Sequence, residues 1–66
     1  MKISKDKIDL IMASKGLTAV EVSKRSGISR QNFSTIKLRG TCTAPTAFKI
    51  AKGLGVDASE FLVLED

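Results

Sequence analysis

The chain is divided by paired stop and start signals. Gly16, Gly27, Gly40 and Gly55 each end an apolar-periodic stretch, and Thr18, Ser29, Thr43 and Asp57 follow two or three residues later. Ser4 gives the same start signal near the N-terminus. A glycine just past a helix can take the left-handed conformation that closes the last turn. A hydroxyl or carboxylate at the start accepts a backbone N–H that the first turn leaves unpaired. Thr18-Ala-Val-Glu21 and Asp57-Ala-Ser-Glu60 add the glutamate of a reciprocal capping box. Between these signals apolar residues recur at three- and four-residue spacing, and strand-like alternation is hard to find. The expected fold is therefore all-α, a compact five-helix bundle in one domain over residues 1–66, with helices at about 5–15, 19–26, 30–38, 44–54 and 58–63.

The inward faces follow from the same spacing. Ile8, Ile11 and Met12 line the first helix, Val22 the second, and Phe33 and Ile36 the third. Phe48, Ile50, Ala51 and Leu54 supply the apolar side of the fourth helix, whose first turn tolerates Pro45. Phe61 and Leu62 belong to the last. The three phenylalanines, Phe33, Phe48 and Phe61, are expected in the core. Gly53, inside the fourth helix, is a weak point of about 1 kcal/mol against alanine.

Composition narrows the functional classes. With a single cysteine, Cys42, and no histidine, neither an internal disulfide nor a metal cluster is expected. Cys42 is read as an inert, partly buried side chain. Nothing pairs a nucleophile with a base, so no enzyme, no cofactor and no metal are expected. The charged N-terminus and the lack of a long apolar run point to a cytoplasmic chain away from membranes. Formal net charge is +4, and no acidic residue lies between Glu21 and Asp57. That stretch carries Lys24, Arg25, Arg30, Lys37, Arg39, Lys49 and Lys52, a one-signed segment suited to a polyanionic partner.

The segment from Leu17 to Gly40 is the informative one. Two short helices flank a turn at Gly27-Ile28-Ser29, where glycine permits the reversal and Ile28 plugs the corner. Ser23 is small enough to let the third helix approach. With Phe33 and Ile36 turned inward, the third helix presents Arg30, Gln31, Ser34, Thr35 and Lys37, with Asn32 near the edge. These are donors and acceptors of the kind that read base edges in a major groove.

This segment resembles the helix-turn-helix of the Cro and phage-repressor superfamily, also called the XRE family. The likeness runs through Gly16-Leu17-Thr18, Glu21, Gly27-Ile28-Ser29-Arg30, the Phe33/Ile36 spacing and Gly40. It continues through Thr46 to Val56 and Ser59-Glu60-Phe61-Leu62. The resemblance implies a lambda-repressor-like bundle acting as a transcriptional regulator, in particular a repressor, of bacterial or mobile-element origin. Its third helix would read double-stranded DNA, with Arg30, Gln31, Asn32, Ser34 and Thr35 facing bases. Phosphates would be held by Thr18, Ala19, Ser29, Lys37, Arg39, Thr41 and Thr43, with Lys24 and Arg25 giving general attraction. A homodimer, at least on DNA, is expected on a near-palindromic operator. Its contact could use Phe61 to Leu64, with Leu10 or Val20, although that tail could equally pack on its own core.

Departures from the family pattern are informative. Ala19 stands where glutamine is usual, so only a backbone N–H can serve there. The family's arginine in the first helix and glutamate in the third are Met12 and Lys37 here. Both halves of that ion pair are missing, Met12 should pack instead, and Lys37 should be free for phosphate. Cys42 replaces a common proline and Ser23 a common alanine. Two other readings stay open: an interaction module that kept the fold and lost DNA binding, favoured by Ala19, or an antitoxin.

Overall fold

Four α-helices form where the start and stop signals lie. In the computed structural model, which describes residues 1–63, α1 spans Lys5–Lys15, α2 Ala19–Ser26, α3 Arg30–Arg39 and α4 Ala44–Leu54. Gly16, Gly27, Gly40 and Gly55 all have φ near +70° (68 to 76°), the left-handed region that closes each helix. Three of the four α-helical N-caps work as the sequence implies. Ser4 Oγ accepts from Lys7 N–H, Ser29 Oγ accepts from Asn32 N–H, and Thr18 with Glu21 completes the reciprocal box. Thr43 differs. It makes no capping bond; its hydroxyl donates sideways to Thr46 Oγ1 at 3.0 Å.

The expected fifth helix over 58–63 shortens to a single 3₁₀ turn, Ala58–Glu60. The Asp57 carboxylate starts that turn by accepting from Ser59 N–H at 2.9 Å, and the turn stops where the backbone beyond Phe61 pairs with the N-terminal segment. Ser4 N–H donates to Phe61 O (2.8 Å) and Val63 N–H to Lys2 O (3.0 Å), around an antiparallel bridge between Ile3 and Leu62. A second bridge joins Lys2 to Thr41, flanked by Ile3 N–H to Gly40 O and Cys42 N–H to Met1 O, each 2.9 Å. The first residues thus stitch the loop after α3 to the C-terminal turn. Ile3, which the helical periodicity does not reach, is buried in consequence.

The core gathers Ile3, Ile8, Val22, Phe33, Ile50, Ala51, Leu54, Ala58 and Phe61, with Ile11, Met12, Leu17, Ile28, Ile36 and Leu62 packed against it. Two expectations fail here. Phe48 is not core: its side chain is 62% exposed, since α4 turns Ala47, Ile50, Ala51 and Leu54 inward and residue 48 falls off that stripe. Gly53 is not a weak point either. α2 packs chiefly on α4, and a β-carbon at Gly53 would stand 2.8 Å from Val22 O and 2.9 Å from Ser26 Cβ. The close approach is therefore between α2 and α4, with Ser26 at the contact. Lys15 of α1 donates to Gly55 O at 3.0 Å, satisfying a carbonyl at the end of α4. Among the described residues, no buried side-chain polar atom lacks a partner. No described helix is long and apolar enough to cross a membrane.

Candidate nucleic-acid interface

The two helices of the central segment are joined by a turn that Ser26 holds. Its hydroxyl donates to Ser23 O (3.3 Å) and accepts from Ile28 N–H (3.2 Å). Gly27, with φ +76°, reverses the chain, and its N–H bonds Ser23 O at 3.0 Å. Ile28 packs against the core, as its place in the corner requires. Ser29 then starts α3 with two bonds, Asn32 N–H to its Oγ and Phe33 N–H to its carbonyl. Neither turn chemistry nor apolar spacing singles out Ser26. A serine directly before the terminating glycine was the available signal.

Phe33 is fully buried and Ile36 half-buried, so α3 is fixed to the body by one face. Arg30, Gln31, Asn32, Ser34 and Thr35 are all exposed. The structure brings these five together on one helix, but they are not equivalent. Asn32 turns toward α4, where with Ser29, Thr35, Arg39, Thr46 and Lys49 it lines an open groove of about 380 Å³. Thr35 donates its hydroxyl proton to Gln31 O at 2.9 Å.

The expected phosphate-facing residues are spread around this helix. Thr18, Ser29, Arg39, Thr41 and Thr43 are exposed, and Ala19 is half-buried against the core. At the start of α2, Thr18 N–H is held by Glu21 Oε1 at 3.4 Å. The open donors there are therefore the backbone N–H groups of Ala19 and Val20, which the first turn cannot satisfy internally.

Lys37 corrects the expectation of a cation freed for phosphate. Its ammonium bonds Asp9 Oδ1 at 2.8 Å, sits 5.1 Å from the centroid of the Phe33 ring, and its side chain is only 15% exposed. An ion pair between α1 and α3 therefore exists, with the polarity opposite to that of the family. The acid comes from α1, one helical turn before Met12, and the base from α3. Met12 packs beside it against the core. Asp9 also receives Lys5 at 3.0 Å. The hydrogen bond from Lys37 holds the Asp9 carboxyl below the usual carboxylate range, against the opposing effect of partial burial. Burial pushes the Cys42 thiol up, which fits an unreactive side chain.

A family model for the Cro/C1-type helix-turn-helix DNA-binding domain matches residues 7–66. The chain belongs to that family. Its helix-turn-helix is thus α2–Gly27–α3, and double-stranded DNA binding in transcription regulation comes with membership. No curated protein and no solved structure matches the chain.

Two further residues enter the candidate interface of this helix-turn-helix protein only through the fold. Lys49 of α4 reaches the same groove as Arg39, doubling its positive charge. Leu38, near the end of α3, is 77% exposed. No local pattern shows which turn of α4 faces α3, so Lys49 had no signal beyond its membership of the acid-free stretch. For Leu38 the signal was the helical register of Gln31 and Thr35.

Proposed function

We propose that this chain is a site-specific transcriptional repressor that lays α3 in the major groove of its operator. The observation that carries this reading is the division of α3 into a buried face, Phe33, and an exposed polar face, Arg30, Gln31, Asn32, Ser34 and Thr35. Arg30 can make a bidentate contact to guanine, and Gln31 or Asn32 one to adenine, each worth about 1–3 kcal/mol of discrimination. Ser29, Arg39, Thr41, Thr43 and Lys49, with the Ala19 and Val20 N–H groups, take phosphates and set the register. Thr18 supports them by closing the cap of α2, and Lys37 acts from behind by tying α3 to α1. Occupying an operator that overlaps a promoter would exclude polymerase, the simplest route from binding to repression.

One copy offers few base contacts, and two copies on a near-palindromic site supply the missing specificity. Of the expected tail contact, Phe61 is fully buried and Leu62 half-buried against the chain's own core, Val63 is exposed, and Leu64 lies outside the described residues. Leu10 and Val20 remain exposed. The site of action of such a regulator is the cytoplasm.

Fluorescence anisotropy with a mixed-sequence duplex at several salt concentrations tests the reading. Affinity around 10⁻⁴–10⁻⁶ M near physiological salt, falling steeply as salt rises, is expected. Arg30→Ala/Gln31→Ala should lose preference for a selected site more than it loses general affinity. Absence of binding even at about 50 mM salt would favour a protein-interaction module instead.

A further inference from the structure

An exposed leucine alone carries little information, but Leu38 occupies a particular place. Gln31, Thr35 and Leu38 point within about 60° of one another around α3, opposite Phe33. They form the middle of the outer face. Two observations make the C-terminal half of that face apolar. Leu38 is the most exposed large hydrophobic among the described residues, at 77%. Thr35 spends its hydroxyl proton on Gln31 O at 2.9 Å, so its outward offering is a methyl group and an acceptor lone pair rather than a donor. The middle of the outer face thus begins with the hydrogen-bonding side chain of Gln31 and ends with the hydrocarbon of Leu38, between the cations Arg30 and Arg39 at the two ends of the helix.

We infer that Thr35 and Leu38 read thymine through its C5-methyl group, and that the operator half-site carries one or two thymines where the end of α3 lies. This inference rests on the proposed placement of α3 in the major groove. Thymine is the one base that offers a hydrocarbon surface there, and apolar side chains contact it. Thr35 and Leu38 are about 4.5 Å apart along the helix axis, comparable with one base-pair step of about 3.4 Å, so adjacent thymines can be covered together. Arg39, the next residue, is exposed and cationic, and a phosphate contact from it would hold this end of the helix against the groove.

The test uses the full chain. A preferred duplex is selected from random sequence, and each thymine is then replaced in turn by deoxyuridine, which lacks only the methyl group. Affinities are read by anisotropy at one salt concentration for the parent, Leu38→Ala and Thr35→Ser. Removing one contacted methyl should weaken parent binding about fourfold. The penalty at one thymine should vanish in Leu38→Ala and at its neighbour in Thr35→Ser, while guanine and adenine preferences elsewhere persist. Both side chains are exposed, and unchanged melting temperatures will show the variants folded. A selected site without thymines overturns the inference. So does parent binding indifferent to uracil at every position, or a penalty that survives both substitutions. If no preferred duplex emerges at all, the placement of α3 has failed, a different result from methyl-indifferent binding at a defined site.

Discussion

A β-carbon on Gly53 would lie 2.8 Å from the Val22 carbonyl oxygen and 2.9 Å from Ser26 Cβ. Helix propensity alone favours alanine here by about 1 kcal/mol. Packing opposes it, because both neighbours belong to α2 and one is backbone; overfilling such a contact costs about 1–3 kcal/mol. Gly53→Ala is therefore expected to be destabilising, with a Tm several degrees below the parent in thermal unfolding. A Tm above the parent would mean that α4 slides away from α2 at little cost. Asp9 makes a second residue-scale case. Asp9→Asn leaves the half-buried Lys37 ammonium without its partner and should cost about 1 kcal/mol by denaturant unfolding. Since Lys37 depresses the Asp9 carboxyl below its ordinary value of 3.8, the folded state binds fewer protons there than the unfolded state. The stabilisation is fully present above the ordinary carboxylate range and is lost as pH falls through the depressed folded value. The difference between parent and Asp9→Asn should hold constant from about pH 5 to 8 and shrink only in stronger acid.

Helix starts that look alike in sequence behave differently once their bonds are drawn. Thr18 and Glu21 satisfy each other's backbone donors at the start of α2, so Thr18→Ala should cost about 1 kcal/mol. Thr43 makes no capping bond and gives its hydroxyl to Thr46, so Thr43→Ala should cost only a few tenths of that order. The two variants, compared in one denaturation series, check the assignment; equal losses would show that Thr43 caps α4 in solution. The last element is the sharper lesson. Asp57 and Glu60 have the residue types of a capping box, yet the chain makes one 3₁₀ turn before Phe61 enters the core and the following backbone pairs with Lys2 and Ile3. A start signal says where a helix can begin. It does not say what competes for the residues that follow.

The N-terminal segment joins parts of the molecule that are far apart in sequence. Ile3 is 5% exposed and lies between Gly40 and Leu62 through backbone bonds. Small chains have only a few kcal/mol of net stability, and Ile3→Ala removes about 2–5 kcal/mol of burial. The variant should be partly unfolded at 37 °C, with cooperative unfolding recovered on cooling or on binding DNA, as circular dichroism would show. If it melts with the parent, the stitching of residues 1–3 contributes little. The cations of the acid-free stretch are largely left at the surface as well. Lys24, Arg25, Arg30, Arg39, Lys49 and Lys52 are all exposed, and only Lys37 of the acid-free stretch is taken up by a carboxylate among the described residues.

The helix count up to α4, the glycine stops, the turn at Gly27 and the exposed polar residues of α3 were legible in the chain itself. Each depends on neighbours three or four residues away, and local backbone bonding is enough to specify them. The pairing of α1 with α3 through Asp9 and Lys37, the need for glycine at 53, the exposure of Phe48 and the burial of Ile3 were not. These depend on which faces meet across the fold, and a helical period gives a face without naming its partner. The same division runs through the candidate interface: sequence placed Arg30 and Gln31 on the exposed side of α3, whereas the groove shared by Arg39 and Lys49, and the direction of the Thr35 hydroxyl, arose only when α3 was set against α4 and bonded along its own backbone.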